Sequence, residues 1–344
     1  MIKLRFNVGG GYDAVIGSGA RKLLCDTVQT LVRGENVALV ADRSISAMEV
    51  REVAVSLNSL NRRVSLLGLK GGENGKSLTA VEELYGRFHE FGMTRSDVVI
   101  SLGGGVTGDI TGFAAATYLR GVAHIAMPTT IIAQTDSAYG GKTGVDYMGV
   151  KNLIGTFTHP KAVICDTDYL KNLPESERIS GMGEVLKYGA VADGSILDSA
   201  SRELPTEELI ADCVNIKKKY VEEDEFDRAE RHVLNFGHTF GHAIEAASGY
   251  KVPHGQAVAY GMLLMIRVGE RLGVTNDGVY DRLESAMNRV GLDTRYETRL
   301  EGVRKFLLRD KKTDAGLIDA VLLKDIGEPV RMGLSPDELL KAVR

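Results

Sequence analysis

The sequence has few residues that form covalent cross-links and no long apolar run. Its three cysteines, Cys25, Cys165 and Cys213, are widely spaced, which predicts neither a disulfide framework nor a thiolate zinc site. No apolar run approaches the ~20 residues of a membrane span. The stretch from Met1 to Phe6 alternates like a strand and lacks the roughly 7 to 15 apolar residues of a signal peptide. We therefore expect a cytoplasmic protein that does not associate with a membrane.

An excess of basic residues is also missing. The chain has 42 Lys and Arg against 46 Asp and Glu, a formal net charge of −4, whereas duplex binding needs a basic face. Nucleic acid is therefore not expected as a partner. With 44% hydrophobic and 26% charged residues, the composition is typical of a soluble globular protein. The length of 344 residues allows two domains, each with its own core.

The pattern of apolar residues differs between the two halves of the chain. Strand-like runs occupy residues 36–41, 63–69, 97–102 and 162–165, with a helical pattern at 77–90. This alternation predicts a Rossmann-like parallel sheet with crossover helices over residues 1–169. Long amphipathic patterns follow at 205–223, 231–247, 256–272 and 280–290. They predict a mainly α-helical domain over residues 170–344, with a ligand-binding cleft beside the junction.

Histidines concentrate in one part of the helical half. His238 and His242 are spaced i,i+4, so a helix would place both rings and Glu245 on one face, where they could bind a divalent metal ion. The alternative to a metal site is that one histidine is exposed to solvent and the other is buried in the core with its hydrogen bonds satisfied. A further histidine, His254, is followed by glycine and an apolar run. With an acidic ligand from elsewhere, these residues would suit zinc-type chemistry with an open coordination position.

Two glycine-rich stretches in the first half suggest anion binding. The apolar run 98–102 leads into Gly103, Gly104 and Gly105 and then a helical pattern, an arrangement that exposes backbone N–H groups to a phosphate. A glycine-rich turn without a ligand is the alternative. The second stretch, Gly140 to Thr143, resembles the end of a Walker loop, but Asp136 stands where that loop requires its first glycine, which excludes an ATPase of that kind. What remains is a polar loop, with residues such as Asp136 and Lys151 that suit anions and hydroxyls.

These motifs, in this order over roughly residues 36 to 330, resemble the 3-dehydroquinate synthase family of NAD- and zinc-dependent cyclases. The resemblance implies a dehydroquinate synthase-like fold, NAD, and a divalent metal ion such as Zn²⁺ or Co²⁺. It implies that the metal ligands are Glu184, His238 and His254, which moves His242 to the substrate. The implied NAD-binding residues are Asp42, Glu73, Lys76, Gly104, Gly105, Asp109, Thr129, Thr130, Lys142 and Lys151.

The implied substrate is a small seven-carbon keto acid phosphate. Its predicted binding and catalytic residues are Asp136, Lys142, Asn152, Lys187, Lys217, Arg231, Asn235, His242 and Lys312. Arg120 would reach the phosphate site of a second subunit, as in the homodimers of the family. Several of these residues are cations, as a dianionic phosphate and a carboxylate require. We expect Lys142, Lys187, Lys217 and Arg231 to converge on one cleft.

The implied activity is a carbon–oxygen lyase reaction of the shikimate pathway, which serves aromatic amino acid biosynthesis. A transient oxidation by NAD would allow phosphate elimination, re-reduction and aldol closure to 3-dehydroquinate. The sequence departs from the family pattern at Ser44, at Asp146-Tyr147-Met148 and at Ser176, which leaves the amino analogue of the substrate as an alternative. Two further hypotheses are a metal-dependent polyol or glycerol dehydrogenase and a non-catalytic NAD sensor. The anionic-substrate residues favour the cyclase over the dehydrogenase, and the presence of candidates at all three metal positions argues against the sensor.

Overall fold

The computed structural model describes residues 1–295, 300–307, 313–314 and 316–343. The strands are β1 (Ile2–Phe6), β2 (Tyr12–Gly17), β3 (Asn36–Asp42), β4 (Arg63–Leu69), β5 (Val98–Gly103), β6 (Ala123–Pro128), β7 (Lys142–Tyr147), β8 (Val150–Phe157), β9 (Ala162–Asp166), β10 (Thr313–Asp314), β11 (Leu317–Asp325) and β12 (Glu328–Leu334). The α-helices are α1 (Leu24–Leu31), α2 (Ala47–Asn58), α3 (Leu78–Glu90), α4 (Gly105–Thr117), α5 (Glu175–Val191), α6 (Gly194–Ser199), α7 (Glu207–Glu223), α8 (His238–Ala247), α9 (His254–Arg271), α10 (Val279–Val290), α11 (Leu300–Leu307) and α12 (Pro336–Ala342).

The first unit, Met1–Leu173 with Thr206–Phe226, is built on a sheet of order β1-β2-β9-β6-β5-β3-β4. All neighbouring strands are parallel except the β1–β2 pair. Side chains alternate across the sheet: Val37 and Leu39 join the apolar cluster under α1 and α2, whereas Ala38 and Val40 join the cluster under α3 and α4. Because both faces are covered, the strands read as continuous apolar runs. The predicted parallel-sheet fold is confirmed.

The segment predicted to be a polar loop is a β-hairpin. Strands β7 and β8 pair in antiparallel register around a turn at Met148 and Gly149, and Met148 has φ of 50°. The polar residues of this segment obscured the alternation, because only Gly144 and Val145 are buried in β7. The hairpin therefore fixes Lys142, Lys151 and Asn152 on a paired framework.

Helix α7 belongs to the first unit, although the predicted division at residues 169 and 170 places it in the second domain. It packs on β1, β2 and the single π-helical turn Ala133–Ser137. Its carboxylates also contact the residues that directly follow β1 and β2. Glu222 accepts a 2.7 Å hydrogen bond from the Asn7 N–H, and Glu207 accepts a 2.5 Å hydrogen bond from the Ser18 N–H. Sequence order alone could not show that the chain returns to the first unit.

The second unit, Pro174–Pro205 with Asp227–Arg344, is mainly helical, as predicted, and also contains the small sheet β10-β11-β12. The pattern at 231–247 is one helix in the prediction but two elements in the structure. A 3-10 helix, Glu230–Asn235, ends before Gly237, whose φ is 79°, and α8 follows. The break occurs because Gly237 lies against α9, where a Cβ atom would approach the Val258 carbonyl oxygen to 2.7 Å.

Glycines let the helices of the second unit approach closely. In α5 a Cβ atom at Gly183 would lie 2.2 Å from the Gly255 carbonyl oxygen of α9, and one at Gly255 would lie 1.6 Å from the Ser180 carbonyl oxygen. Only glycine permits backbone contact of this kind. Glu184 directly follows Gly183, and His254 directly precedes Gly255. The close contact of the two glycines therefore brings Glu184 and His254 side by side. Among the described residues, no helix has both the length and the apolar character needed to cross a membrane.

Candidate active site

Three side chains from three helices of the second unit meet at one point. Glu184 Oε1 of α5 lies 3.3 Å from His238 Nε2 at the start of α8 and 3.1 Å from His254 Nε2 at the start of α9. In a tetrahedral site with metal–ligand bonds of about 2.0–2.1 Å, neighbouring ligand atoms are roughly 3.3 Å apart. The three ligand atoms, all within 4.8 Å of one another, therefore fit a single divalent ion.

The remaining nitrogens of the two histidines have partners that orient the rings. His254 Nδ1 lies 3.0 Å from Glu245 Oε2, and His238 Nδ1 lies 3.2 Å from the Phe236 carbonyl oxygen. Hydrogen bonds of this kind fix the tautomer of a metal-binding histidine and aim its Nε2 at the ion. With an ion bound to Glu184, His238 and His254, Glu245 would be an outer partner, although the sequence pattern made it a ligand candidate.

The structure groups the histidines differently from the intrahelical trio of His238, His242 and Glu245. Within the described residues, one candidate metal group is Glu184, His238 and His254, and a second is His242, Glu245 and His254. His254 is common to both because its two nitrogens face opposite carboxylates. An i,i+4 pair on a helix could not reveal this, since the residue that completes each group comes from another helix.

A buried lysine accompanies the metal group. Lys187 Nζ is 2.5 Å from Glu184 Oε2, and the two side chains are 2% and 0% exposed. Burial alone would raise the pKa of Glu184, but Lys187 and the two histidines outweigh it and hold that pKa well below its usual range. Glu184 therefore remains a carboxylate. Burial lowers the pKa of His238, an effect that Glu184 only partly opposes, which favours the neutral ring that binds metal.

The pH dependence of metal binding should follow His254. Burial alone would lower its pKa, but hydrogen bonds to Glu184 and Glu245 raise it to about 9. A metal ion must displace the proton on Nε2, so affinity for Co²⁺ should increase as the pH rises from 6.5 to 8.5, by up to about tenfold per pH unit, with about one proton released per ion. Chelator competition at several pH values measures the affinity. A pH-independent affinity would contradict this expectation.

In the first unit, the predicted nucleotide residues cluster at the carboxyl ends of the parallel strands. Strand β5 ends at Gly103, Gly104 precedes α4, and a Cβ atom at Gly105 would lie 2.8 Å from Ser137 Oγ. The turn therefore has no room for a side chain larger than that of glycine at position 105. An open pocket lies here, lined by residues that include Gly104, Gly105, Asp109 and Lys142. A helix N-terminus beside such a cavity suits the phosphates of a dinucleotide.

Polar contacts link the other nucleotide candidates. Lys76 Nζ donates to Asp109 Oδ2 at 2.6 Å and to Asn152 Oδ1 at 2.5 Å, and Lys151 Nζ is 3.0 Å from Glu73 Oε1. Burial alone would lower the pKa of Lys76, but Asp109 and Glu73 raise it, so the amine is charged. Asp42, which ends β3, accepts hydrogen bonds from Thr107 and Ser44. Thr129 and Thr130 directly follow β6.

The predicted substrate residues fall into two sets, one in each unit. In the first unit, Lys217 Nζ of α7 lies 2.6 Å from Asp136 Oδ1. In the second unit, the His242 ring lies edge-on to the His238 ring at 5.2 Å, and Arg231 and Asn235 lie on the 3-10 helix that precedes α8. Arg120 is exposed, with φ of 63°. Lys312 lies outside the described residues.

Two family models together match most of the chain. The model of the N-terminal domain of 3-dehydroquinate synthase matches residues 66–180, and the model of its C-terminal domain matches residues 181–313. The chain belongs to the 3-dehydroquinate synthase family. Proteins named 3-dehydroquinate synthase from Streptococcus mutans and Clostridium acetobutylicum are 38% and 39% identical to it, over 95% and 92% of both chains. The family consists of enzymes, so the chain is similar to enzymes along nearly its whole length.

Solved structures show the fold of the 3-dehydroquinate synthase family in more distant proteins. A 2-deoxy-scyllo-inosose synthase complexed with carbaglucose-6-phosphate, NAD⁺ and Co²⁺ has a TM-score of 0.91 at 23% identity, covering 100% of this chain and 99% of that one. A probable glycerol dehydrogenase from Sinorhizobium meliloti has a TM-score of 0.64 at 16% identity, covering 96% of this chain and 95% of that one. The fold is therefore closer to that of the inosose synthase than to that of the dehydrogenase.

Two residues that support the site had no signal in the sequence. Asp146, noted only as a departure from the family pattern, accepts a 2.8 Å hydrogen bond from the Asn152 N–H and so holds Asn152 in its conformation with φ of 48°. The Phe236 carbonyl oxygen orients His238. Contacts between backbone and side chain depend on where the chain turns, which residue types alone do not reveal.

Proposed function

We propose that this chain is a 3-dehydroquinate synthase, which converts 3-deoxy-D-arabino-heptulosonate 7-phosphate to 3-dehydroquinate and phosphate. The observation that carries the proposal is the Glu184, His238 and His254 group with Lys187 beside it. It occurs in a chain that aligns with 95% of a relative of that name. A bound divalent ion and NAD would supply polarisation of a substrate hydroxyl and reversible hydride transfer.

We propose that Glu184, His238 and His254 bind the metal ion, either Zn²⁺ or Co²⁺. One carboxylate and two imidazoles leave a coordination position for a substrate oxygen. The structural neighbours include proteins solved with NAD⁺ and Co²⁺ or Zn²⁺. The ligand distances in this chain fit an ion of that size without a change in the helix positions.

The proposed NAD-binding residues lie around the β5–α4 turn. The N-terminus of α4 at Gly104 and Gly105 would bind the pyrophosphate, because its N–H groups and partial positive charge favour an anion. The remaining set is Asp42, Glu73, Lys76, Asp109, Thr129, Thr130, Lys142 and Lys151. The contacts of Lys76 and Lys151 with carboxylates hold these lysines in place before the nucleotide arrives.

The proposed substrate residues are chosen for an anion with several hydroxyl groups. Lys142, Asn152, Lys187, Lys217, Arg231 and Asn235 would bind the phosphate, the carboxylate and the hydroxyls, with Asp136 positioning Lys217. Arg231 is 2% exposed, and a buried guanidinium suits bidentate contact with a phosphate. Lys312 is assigned to the same set from sequence alone.

Proton transfer is assigned to His242. Its ring is half-buried and lies 5.2 Å from His238 and 5.9 Å from His254. His242 can therefore face a substrate bound at the metal site without being a ligand of an ion held by Glu184, His238 and His254. An imidazole at this distance can accept or return a proton on a substrate oxygen.

Arg120 is the residue on which the proposed homodimer is based. It is exposed on the turn after α4 and has a left-handed backbone conformation, a conformation with a cost in energy that persists where the surroundings determine it. We propose a homodimer in which this guanidinium binds the phosphate in the partner's site. A biosynthetic enzyme of this family would act in the cytoplasm.

The related proteins favour neither a dehydrogenase nor a different cyclase substrate. The curated relatives at 37% to 39% identity carry the name 3-dehydroquinate synthase, whereas the alcohol and glycerol dehydrogenases share 13% to 19% of residues. A neutral polyol would also not need the buried cations Lys187 and Arg231. The amino analogue of the substrate would differ in charge, and none of these relatives carries a name that supports it.

NAD should act as a catalyst that is not consumed. Purified enzyme with Co²⁺, the heptulosonate phosphate and NAD at about one hundredth of the substrate concentration should release one phosphate per substrate, with no accumulation of NADH. The reason is that the hydride removed before phosphate elimination returns to the same substrate molecule in the closed site. Phosphate release and absorbance at about 340 nm, where free NADH absorbs, provide the measurement.

Accumulation of NADH in proportion to product would overturn this proposal and support the dehydrogenase. Glycerol in place of the heptulosonate phosphate is the matched control, and we expect neither phosphate nor NADH from it.

A further inference from the structure

Three side chains of the second unit that are not among the proposed binding or catalytic residues form a cluster beside Arg231. Arg331 donates to Asp319 through Nε at 3.1 Å and through its terminal nitrogen at 2.6 Å. Asp319 Oδ2 is 2.7 Å from His232 Nδ1. We refer to His232, Asp319 and Arg331 as the His232 clamp.

The β11–β12 pairing places two members of the clamp together. Val321 pairs with Arg331, and Asp319 pairs with Gly333. Asp319 and Arg331 are therefore diagonal neighbours on one face of the hairpin, the arrangement in which long side chains of opposite charge meet. The 3-10 helix Glu230–Asn235 contacts both strands and also α5, so His232 reaches the pair from a segment that touches the helix of Glu184.

The clamp contacts the irregular segment that leads into Arg231. His232 Nε2 is 2.8 Å from the Asp227 carbonyl oxygen, and Arg331 donates at 2.8 Å to the Ala229 carbonyl oxygen. Asp227 has φ of 55°, and Ala229 has φ of −147° with ψ of −103°. Backbone in such conformations persists only where its surroundings determine it. The clamp supplies these contacts on both sides of the turn that sets the direction of Arg231.

We propose that His232, Asp319 and Arg331 are positioning residues that fix Arg231 for the phosphate of the substrate, an inference that rests on the proposed function. A guanidinium fork binds a phosphate in two parallel hydrogen bonds only when its plane is oriented. Burial alone would raise the pKa of Asp319, but the hydrogen bonds from Arg331 and His232 lower it. Asp319 is therefore a carboxylate at neutral pH and holds both partners.

Asp319→Asn tests the clamp because the amide keeps the shape of the side chain and removes its charge. We expect KM for the heptulosonate phosphate to rise about tenfold, the effect of losing hydrogen bonds to a charged group. The value of kcat should change less than about threefold, because the variant weakens substrate binding and leaves the reacting groups in place. The metal content should not change. Asp198→Asn is the matched control, because it removes one carboxylate from another pair of the same unit, with Arg282, and it should leave KM unchanged.

A double-mutant cycle distinguishes positioning of Arg231 from a general structural role. If the clamp acts through Arg231, Asp319→Asn should raise KM in the native background and have almost no further effect in an Arg231→Ala background. An equal increase in both backgrounds, or an unchanged KM in the native background, would overturn the inference.

Failure of the proposed function can be separated from failure of the clamp. Wild-type enzyme that releases no phosphate from the heptulosonate phosphate contradicts the proposed function. Hydrogen exchange of residues 227–235 then tests, without any substrate, whether the clamp stabilises this segment. Faster exchange in Asp319→Asn than in wild type and Asp198→Asn supports the clamp, and equal exchange in all three proteins contradicts it.

Discussion

Glu184→Ala should purify without its divalent ion and without measurable turnover. The carboxylate is one of the three proposed ligands, and Glu184 Oε1 lies within 3.3 Å of both histidine nitrogens. Loss of an outer-shell partner alone costs roughly 10- to 100-fold in metal affinity, so loss of a ligand should cost more. His254→Ala should behave in the same way. Metal content after dialysis and phosphate release are the measurements.

His242→Ala is the matched variant, because His242 is a histidine of the same helix as His238. It should keep the ion, since Glu184, His238 and His254 remain, and it should lose roughly 10²- to 10⁴-fold in turnover with its proton-transfer group. An empty site in His242→Ala together with a filled site in Glu184→Ala would instead favour a metal group centred on His242 and Glu245. Because Glu184 also neutralises the buried Lys187, thermal unfolding of each variant must show that it is folded.

Gly255→Ala should impair both stability and activity, although glycine to alanine within a helix normally stabilises it. The added Cβ atom would lie 1.6 Å from the Ser180 carbonyl oxygen in the backbone of α5. A backbone atom cannot rotate away, so α5 and α9 must separate. Overpacking of this kind costs about 3 kcal/mol or more in the free energy of unfolding. The shift would also separate His254 from Glu184, and a displacement of about 1 Å costs roughly 10²-fold in activity.

Gly86→Ala is the control for that experiment. Gly86 lies in α3. Apart from its chain neighbours and the nearby backbone of α3, no atom lies within 4 Å of the position that a Cβ atom would take. Alanine there should raise the free energy of unfolding by about 0.5–1 kcal/mol through helix propensity. Urea unfolding of both variants and their activity decide the matter. Gly255→Ala with native stability and native activity would show that the close crossing of α5 and α9 does not position the metal ligands.

The elements could largely be predicted from the sequence because their signals are local. The run at 37–41 is apolar throughout since both faces of β3 are covered, and the pattern at 280–290 is amphipathic since one face of α10 is exposed. The hairpin β7–β8 could not be predicted in this way. Its strands carry polar residues on both faces, and pairing between strands is decided by the partner rather than by either strand alone.

The sequence predicted which residues belong to the candidate site but not which of them contact one another. The residue types Glu184, His238, His254 and Lys187 came from motif resemblance. The i,i+4 spacing alone pointed instead to His238 and His242. The structure adds Glu245 as the partner of His254 Nδ1 and Asp146 as the partner of the Asn152 N–H. Each of these contacts joins residues from different elements across a turn, so it depends on the path of the backbone and not on residue types alone.

The sequence by itself determined the α/β and helical halves and the chemical character of the site, because apolar periodicity and residue type are properties of each segment. The tertiary structure decided which residues meet. Helix α7 returns to the first unit through contacts with β1 and β2, and Gly183 and Gly255 allow α5 and α9 to touch. Only that backbone contact brings Glu184 of one helix to His254 of another, 70 residues away in the chain.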